Sequence, residues 1–257
     1  MEIAAYLKRI NYSGSTTPTA QILRALQEAH LLAVPFENLS IHNGQRIILK
    51  EEALFDKVVS QRRGGFCYEL NGLFAGLLRA LGFEVDMLSA RVANAAGEFG
   101  PDFDHMTLMV QLDQRWLADV GFGDSFREPL LLDKREEQVQ QGRAYKILPE
   151  NDRLILWQRE DGAEWKAQYS FSLQPFTFPD YAEMCHYHQT SPQSHFTQKR
   201  VCTRATPQGR ITLSEFRLIN TESGKRNEQT LQDEQEYAKA LRQHFDIEIS
   251  NGVSGFI

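Results

Sequence analysis

At Gly82 the spacing of apolar residues changes, and that change constrains the fold more than any other feature of the chain. Upstream, Leu70, Leu73, Phe74, Leu77, Leu78 and Leu81 recur at helical intervals, which predicts an amphipathic helix starting at Cys67 and stopped by Gly82. From Phe83 the period falls toward two. Met106, Leu108, Val110 and Leu112 alternate with His105, Thr107, Met109 and Gln111, and "RWLADVGFG" reads as a second short strand. A hairpin with Leu112, Asp113 and Gln114 as its loop is the economical connection between them.

The remaining elements sort to either side of that boundary. The opening "MEIAAYLKRINYSGS" reads as an amphipathic helix. Thr17 as N-cap with Pro18 in the first turn predicts a second one carrying Ile22, Leu23, Leu26 and His30 and ended by Pro35. A third, Glu51 to Ser60, carries Leu54, Phe55 and Val58. Beyond residue 83 the strand candidates are 144–148, 153–159 and 165–173, with Asp161-Gly162 as a turn, then "KRVCTRA" and "GRITLSEFRLI". The chain closes with a helix, "DEQEYAKALRQHF", whose first turn is acidic. Helices followed by strands predict an α+β fold rather than alternating βαβ units.

A length of 257 residues with 42% hydrophobic side chains supports one large domain or a few small ones. The net charge of -6, with basic residues scattered, argues against nucleic acid as a partner. No run approaches the roughly 20 apolar residues of a membrane helix, and the N-terminus lacks the pattern of a secretory signal, so a cytoplasmic location is expected. Cys67, Cys185 and Cys202 are odd in number and widely spaced, which predicts free thiols. Cys185, His186 and His188 lie too close together for the usual structural zinc spacing, and no metal is expected.

Chemistry concentrates at Cys67. Gly64 and Gly65 permit a tight entry into the helix, whose N-terminus favours thiolate over thiol and offers unpaired N–H groups to an oxyanion. An unpaired cysteine can equally be a small core filler, and the segment alone leaves both readings open. His105 and Asp119 supply partners. With the three-residue loop, Thr107 faces Asp119 and His105 lies one diagonal step away, so imidazole and carboxylate can meet. Asp119 then orients the ring, and His105 takes the proton of Cys67. A thiolate–imidazolium pair persisting well below the ordinary thiol range is the corresponding expectation.

Four blocks in register, "VPFENL" (34–39), "RRGGFCYELNGLF" (62–74), "HMTLMV" (105–110) and "DVGFG" (119–123), resemble the arylamine N-acetyltransferases. The likeness extends to "SHF" and "VCTR" near residue 200. It implies an N-terminal helical bundle (1–82) carrying the nucleophile, a central β-barrel-like domain (83–190) carrying His and Asp, and a C-terminal α/β lid (191–257). It further implies the triad Cys67, His105 and Asp119. No permanently bound cofactor is implied: acetyl-CoA is the co-substrate, and a small aromatic amine or hydrazine is the acceptor. Thr107, Gly121, Phe122, Gly123 and Phe196 match positions toward the coenzyme, and Phe36 and Phe122 match positions toward the acceptor. Glu37 and Arg63 match an ion pair that supports the site. The same triad also serves thiol hydrolases, transglutaminase-like acyltransferases and macrocycle-forming amide synthases. An inert core cysteine in a binding module is the reading from outside enzymology. Oligomeric state is not set by these residues.

Overall fold

A computed structural model of the chain describes residues 1–248; residues 249–257, the end of the expected C-terminal lid, lie outside the described residues. The helical first part contains α1 (Ile3–Arg9), α2 (Ala20–Ala33), the two-residue strand β1 (Phe36–Glu37), α3 (Leu39–His42), α4 (Glu51–Phe55) and α5 (Cys67–Ala80). α4 runs directly into a π-helical turn over Asp56–Ser60. The second helix begins two residues later than the Thr17-Pro18 reading. Thr19 is its N-cap, and its side chain accepts the N–H of Ile22.

α5 is buried nearly all round, with Leu70, Leu73, Phe74, Leu77 and Leu78 all at 0% exposure. Each such side chain contributes on the order of 1.5–3 kcal/mol on leaving water. The helix ends at Leu81, and Gly82 follows at φ +90°.

The middle of the chain forms β2 (Glu84–Val92), β3 (His105–Gln111), β4 (Arg115–Ala118), β5 (Leu130–Leu131), β6 (Gln138–Gln140), β7 (Arg143–Glu150), β8 (Arg153–Glu160) and β9 (Lys166–Phe176). These make one antiparallel eight-stranded sheet in the order β5-β4-β3-β2-β9-β8-β7-β6. Its two edges are joined by glutamine side chains of β6, Gln138 and Gln140. The Gln138 amide accepts the Leu131 N–H at 2.8 Å and donates to the Leu131 carbonyl at 3.0 Å, standing in for a backbone pair. The sheet is thereby a nearly closed barrel, which removes exposed edges.

Gln111 pairs with Arg115, so the β3–β4 loop is Leu112, Asp113 and Gln114 as the alternation predicts. The two faces of β3 are both occupied. Met106, Leu108 and Val110 pack into the core shared with α5, whereas Met109 packs against a separate core inside the barrel with Leu117, Tyr169 and Phe171.

After a 3₁₀ turn at Phe178–Tyr181 come α6 (Ala182–Thr190), α7 (His195–Gln198), β10 (Val201–Thr206), β11 (Gly209–Ser214), β12 (Arg217–Glu222), β13 (Lys225–Thr230) and α8 (Glu234–Phe245). "GRITLSEFRLI" is therefore two strands rather than one. The small sheet has the order β1-β10-β11-β12-β13, so a strand from the helical first part completes it. Among the described residues no helix is long and apolar enough to cross a membrane.

Candidate active site

Gly64 sets the approach to α5. A Cβ there would stand 2.0 Å from the Pro35 carbonyl oxygen, so only glycine lets the chain pass beneath β1. Behind it, Phe66 donates its N–H to Glu69 Oε2 at 3.1 Å, holding the first turn of the helix. As the first helical residue, Cys67 has an N–H with no acceptor inside the helix.

A buried ionic cluster lies under this turn. Arg63 contacts Glu37 Oε1 at 2.8 Å, and Lys57 sits 2.7 Å from Glu69 and 4.0 Å from Glu37. Burial alone would raise the Glu37 carboxyl, but Lys57, Arg63 and the Leu39 N–H hold it below its ordinary value. The expected Glu37–Arg63 pair is present, and with Glu37 at 0% and Arg63 at 8% exposure it is a buried pair.

Cys67 itself is 3% exposed. The Met106 N–H is near enough to favour the ionised thiol, so the sulfur lies toward the backbone next to His105. The loop after β4 approaches from the other side: a Cβ at Gly121 would come within 2.8 Å of Cys67 Cα and 2.9 Å of its carbonyl oxygen. Gly121 is thus needed for the loop to lie against the cysteine, and it is itself buried. Gly123 adopts φ +87° as a turn and faces Phe36.

His105 Nε2 and Asp119 Oδ2 stand 2.7 Å apart and both groups are buried. Asp119 also accepts from Tyr169 Oη at 3.1 Å, Asn71 Nδ2 at 2.8 Å and the Gly121 N–H at 2.9 Å. Burial pushes the Asp119 carboxyl up, but His105, Asn71 and Gly121 outweigh it and hold the group below its ordinary value. A carboxylate is only an acceptor, so the Nε2 of His105 must carry its ring proton, leaving Nδ1 as the basic nitrogen of the neutral ring.

Burial moves Cys67 the other way, well above the ordinary thiol value, with only the Met106 N–H pulling down and Asp119 and Asp104 adding to the rise. The helix N-terminus alone therefore does not favour the thiolate, and the expected thiolate–imidazolium pair depends on the imidazole. Desolvation exceeds the partial charge of one helix end, so ionisation has to be coupled to proton transfer.

Asn71 is the residue that the spacing did not reveal. It lies one helical turn after Cys67 and joins all the parts, donating also to the Met106 carbonyl at 2.6 Å and accepting the Val120 N–H at 2.8 Å. Its position four residues after Cys67, on the same helix face, is the signal that could have found it. Thr107, at 0% exposure, has its hydroxyl bonded to the Ala118 carbonyl and near Tyr169 Oη, on the barrel side of the histidine's strand.

The aromatic positions fall on two sides. Phe122 packs edge-on to His105 at 5.1 Å. Phe196 stands 5.6 Å from Phe66 and 6.1 Å from Phe36. Cys185 and Cys202 are buried in separate cores.

Residues 19–253 match a family model described as N-acetyltransferase. The chain is 34% identical to human arylamine N-acetyltransferase 1 over 97% of its own length and 95% of that protein's. It is 30% identical to the proansamycin X synthase of Amycolatopsis mediterranei, covering 92% of this chain and 94% of the other. Among solved structures, the Mycobacterium marinum arylamine N-acetyltransferase in complex with CoA superposes with a TM-score of 0.89 at 33% identity, over 96% of this chain and 93% of that one. Fold, length and sequence agree, and the chain belongs to the arylamine N-acetyltransferase family of acyltransferases.

Proposed function

We propose that the protein moves an acetyl group from acetyl-CoA to small aromatic amines, hydrazines or hydroxylamines through an acetyl-Cys67 intermediate. The observation that carries this reading is the His105–Asp119 contact at 2.7 Å, with the buried Cys67 thiol near the N–H of Met106, the residue next to His105. In this reading residues 1–82 present the nucleophile, residues 83–190 present His105 and Asp119, and the segment from 191 serves as lid.

The Cys67 sulfur attacks the thioester carbonyl while its proton passes to His105 Nδ1, and Asp119 stabilises the imidazolium that forms. The Cys67 N–H, unpaired within its helix, faces the oxyanion. Collapse expels the coenzyme thiol, which takes the proton from His105. One thioester replaces another, so the acyl group stays activated. An aromatic amine is largely uncharged at neutral pH and attacks next; His105 accepts its proton and returns it to the departing sulfur. Phe36, Phe122 and Phe196 supply apolar walls for the acceptor and the coenzyme arm, and Glu37 with Arg63 fixes the helix entry.

The test is the order of product release. Mixing enzyme with acetyl-CoA and no amine should liberate about one CoA per enzyme, and initial rates at varied donor and acceptor should give parallel reciprocal plots. CoA release only after the acceptor is added would refute the reading. The likeness to proansamycin X synthase favours a second reading, ring closure by an amine within the acyl chain. Failure to discharge acetyl-CoA despite a reactive Cys67 would favour it.

A further inference from the structure

A cavity of about 630 Å³ lies apart from Cys67, between the β6–β7 hairpin of the barrel and the β10–β11 turn of the small sheet. That volume falls within the range of small-molecule sites, roughly 300–1,000 Å³. Neither Cys67, His105 nor Asp119 lines it. Its wall begins at Asp124, three residues beyond Gly121. At about 3.6 Å per residue it therefore starts within about 11 Å of the loop position that touches Cys67.

Three arginines, Arg127, Arg143 and Arg210, converge on this cavity from three different segments of a chain whose net charge is -6. Asp124 is shared between two of them. Arg143 grips it through both terminal nitrogens at 2.7 and 3.1 Å, and Arg210 Nε stands 3.1 Å from the same carboxylate without the alignment of a hydrogen bond. Arg127 reaches the Pro207 and Gly209 carbonyls. Glu160 approaches Arg143 at 3.5 Å, but its side chain is 66% exposed at the rim. Burial and the mutual repulsion of the guanidinium groups pull Arg127 and Arg210 below their ordinary value despite Asp124. The buried Ser125 hydroxyl beside them has no partner. A cluster built only to clamp two sheets together has no need of a third guanidinium held against its neighbours' charge around an open cavity.

We infer that the cavity lined by Arg127, Arg143 and Arg210 is a binding site for a phosphate-bearing anion. Guanidinium groups take phosphate oxygens in pairs, and an anion here relieves their repulsion. Phosphate can arrive as the nucleotide end of the acyl donor, an identification that rests on the proposed function, or as a separate phosphate compound.

Calorimetric titration of the full chain with inorganic diphosphate is the test, with thermal melting of every variant to establish folding. The wild type should bind. Arg143→Gln and Arg210→Gln should each weaken binding about tenfold or more, and Asp124→Asn should tighten it by removing the competing carboxylate. No binding by the wild type, or unchanged affinity in both folded arginine variants, overturns the inference. So does an Asp124→Asn protein that melts lower and binds no tighter, the behaviour of a clamp. A second arm compares acetyl-CoA with S-acetylpantetheine, which lacks the nucleotide. If the ratio of their kcat/KM values falls about tenfold in the arginine variants, the phosphates are the donor's. If the ratio holds while diphosphate affinity drops, the site takes a separate phosphate compound. Acetylation of Cys67 by S-acetylpantetheine reports on the proposed function independently of this cavity.

Discussion

At the scale of single residues, Asn71 joins the cysteine's helix to the segments carrying His105 and Asp119. Its amide holds the Asp119 carboxylate and the Met106 carbonyl, and its oxygen holds the Val120 N–H, so it ties α5 to β3 and to the loop that follows β4. Replacing it with alanine leaves buried groups unpaired, a loss of about 1–3 kcal/mol, or roughly tenfold to a hundredfold in kcat/KM. The pH profile carries the diagnostic sign. Asn71 lowers Asp119, so Asn71→Ala should raise that carboxyl and move the acid limb of kcat/KM to higher pH. An unchanged acid limb with reduced stability would make Asn71 only a packing residue. Asn71 shares a helix face with Cys67 and sits within a segment already singled out. Its partners lie 35 to 49 residues away, which no local pattern announces.

Among elements, the helix and the hairpin were legible because both are local. The apolar spacing of Cys67 to Leu81 is read within one segment, and the β3–β4 register follows from an alternation and a three-residue loop. The N-cap of α2 was misplaced because Thr17 and Thr19 have equal capping chemistry, and only the structure shows which side chain bonds. β13 escaped because every residue in Lys225–Thr230 is exposed, leaving no apolar period to detect. The pairing of β1 with β10 joins residues far apart in sequence and has no local signal. The ionic cluster beneath α5 is the element-scale support of the nucleophile. Removing Arg63 leaves Glu37 charged and without its closest partner in the interior. Arg63→Ala should cost roughly 3–5 kcal/mol in urea denaturation. A loss under about 1 kcal/mol, the value of a surface pair, would contradict the buried role.

For the whole molecule, two cores meet along β3. Its even-numbered side chains face α5 and Met109 faces the barrel interior, and His105, the first residue of the strand, packs on the barrel side against Phe122 and Tyr169. The alternation in sequence marks two interiors rather than one interior and a solvent face, which is why periodicity alone leaves the barrel's closure through Gln138 unstated.

The same burial sets acid stability. His30 is wholly buried, near Tyr6 Oη at 2.9 Å, and burial lowers it from 6.5 to about 3. The unfolded chain therefore takes a proton that the folded one refuses. His30 contributes its full stability above about pH 6.5 and loses it as pH falls toward 3. Between pH 7 and pH 5 this amounts to about 2 kcal/mol. His30→Gln should flatten that part of the stability curve, whereas Asp119 and Glu37, also held low, weaken the fold only at still lower pH. An unchanged slope in the variant would show that His30 does not carry it.

Whether Cys67 carries the acetyl group is decided by intact-mass analysis after brief mixing with acetyl-CoA. The wild type should gain one acetyl group, located at Cys67 by peptide mapping, and Cys67→Ala none, while Cys185→Ala and Cys202→Ala still take it up. An adduct that survives in folded Cys67→Ala, or no adduct on an active wild type, would contradict that role for Cys67.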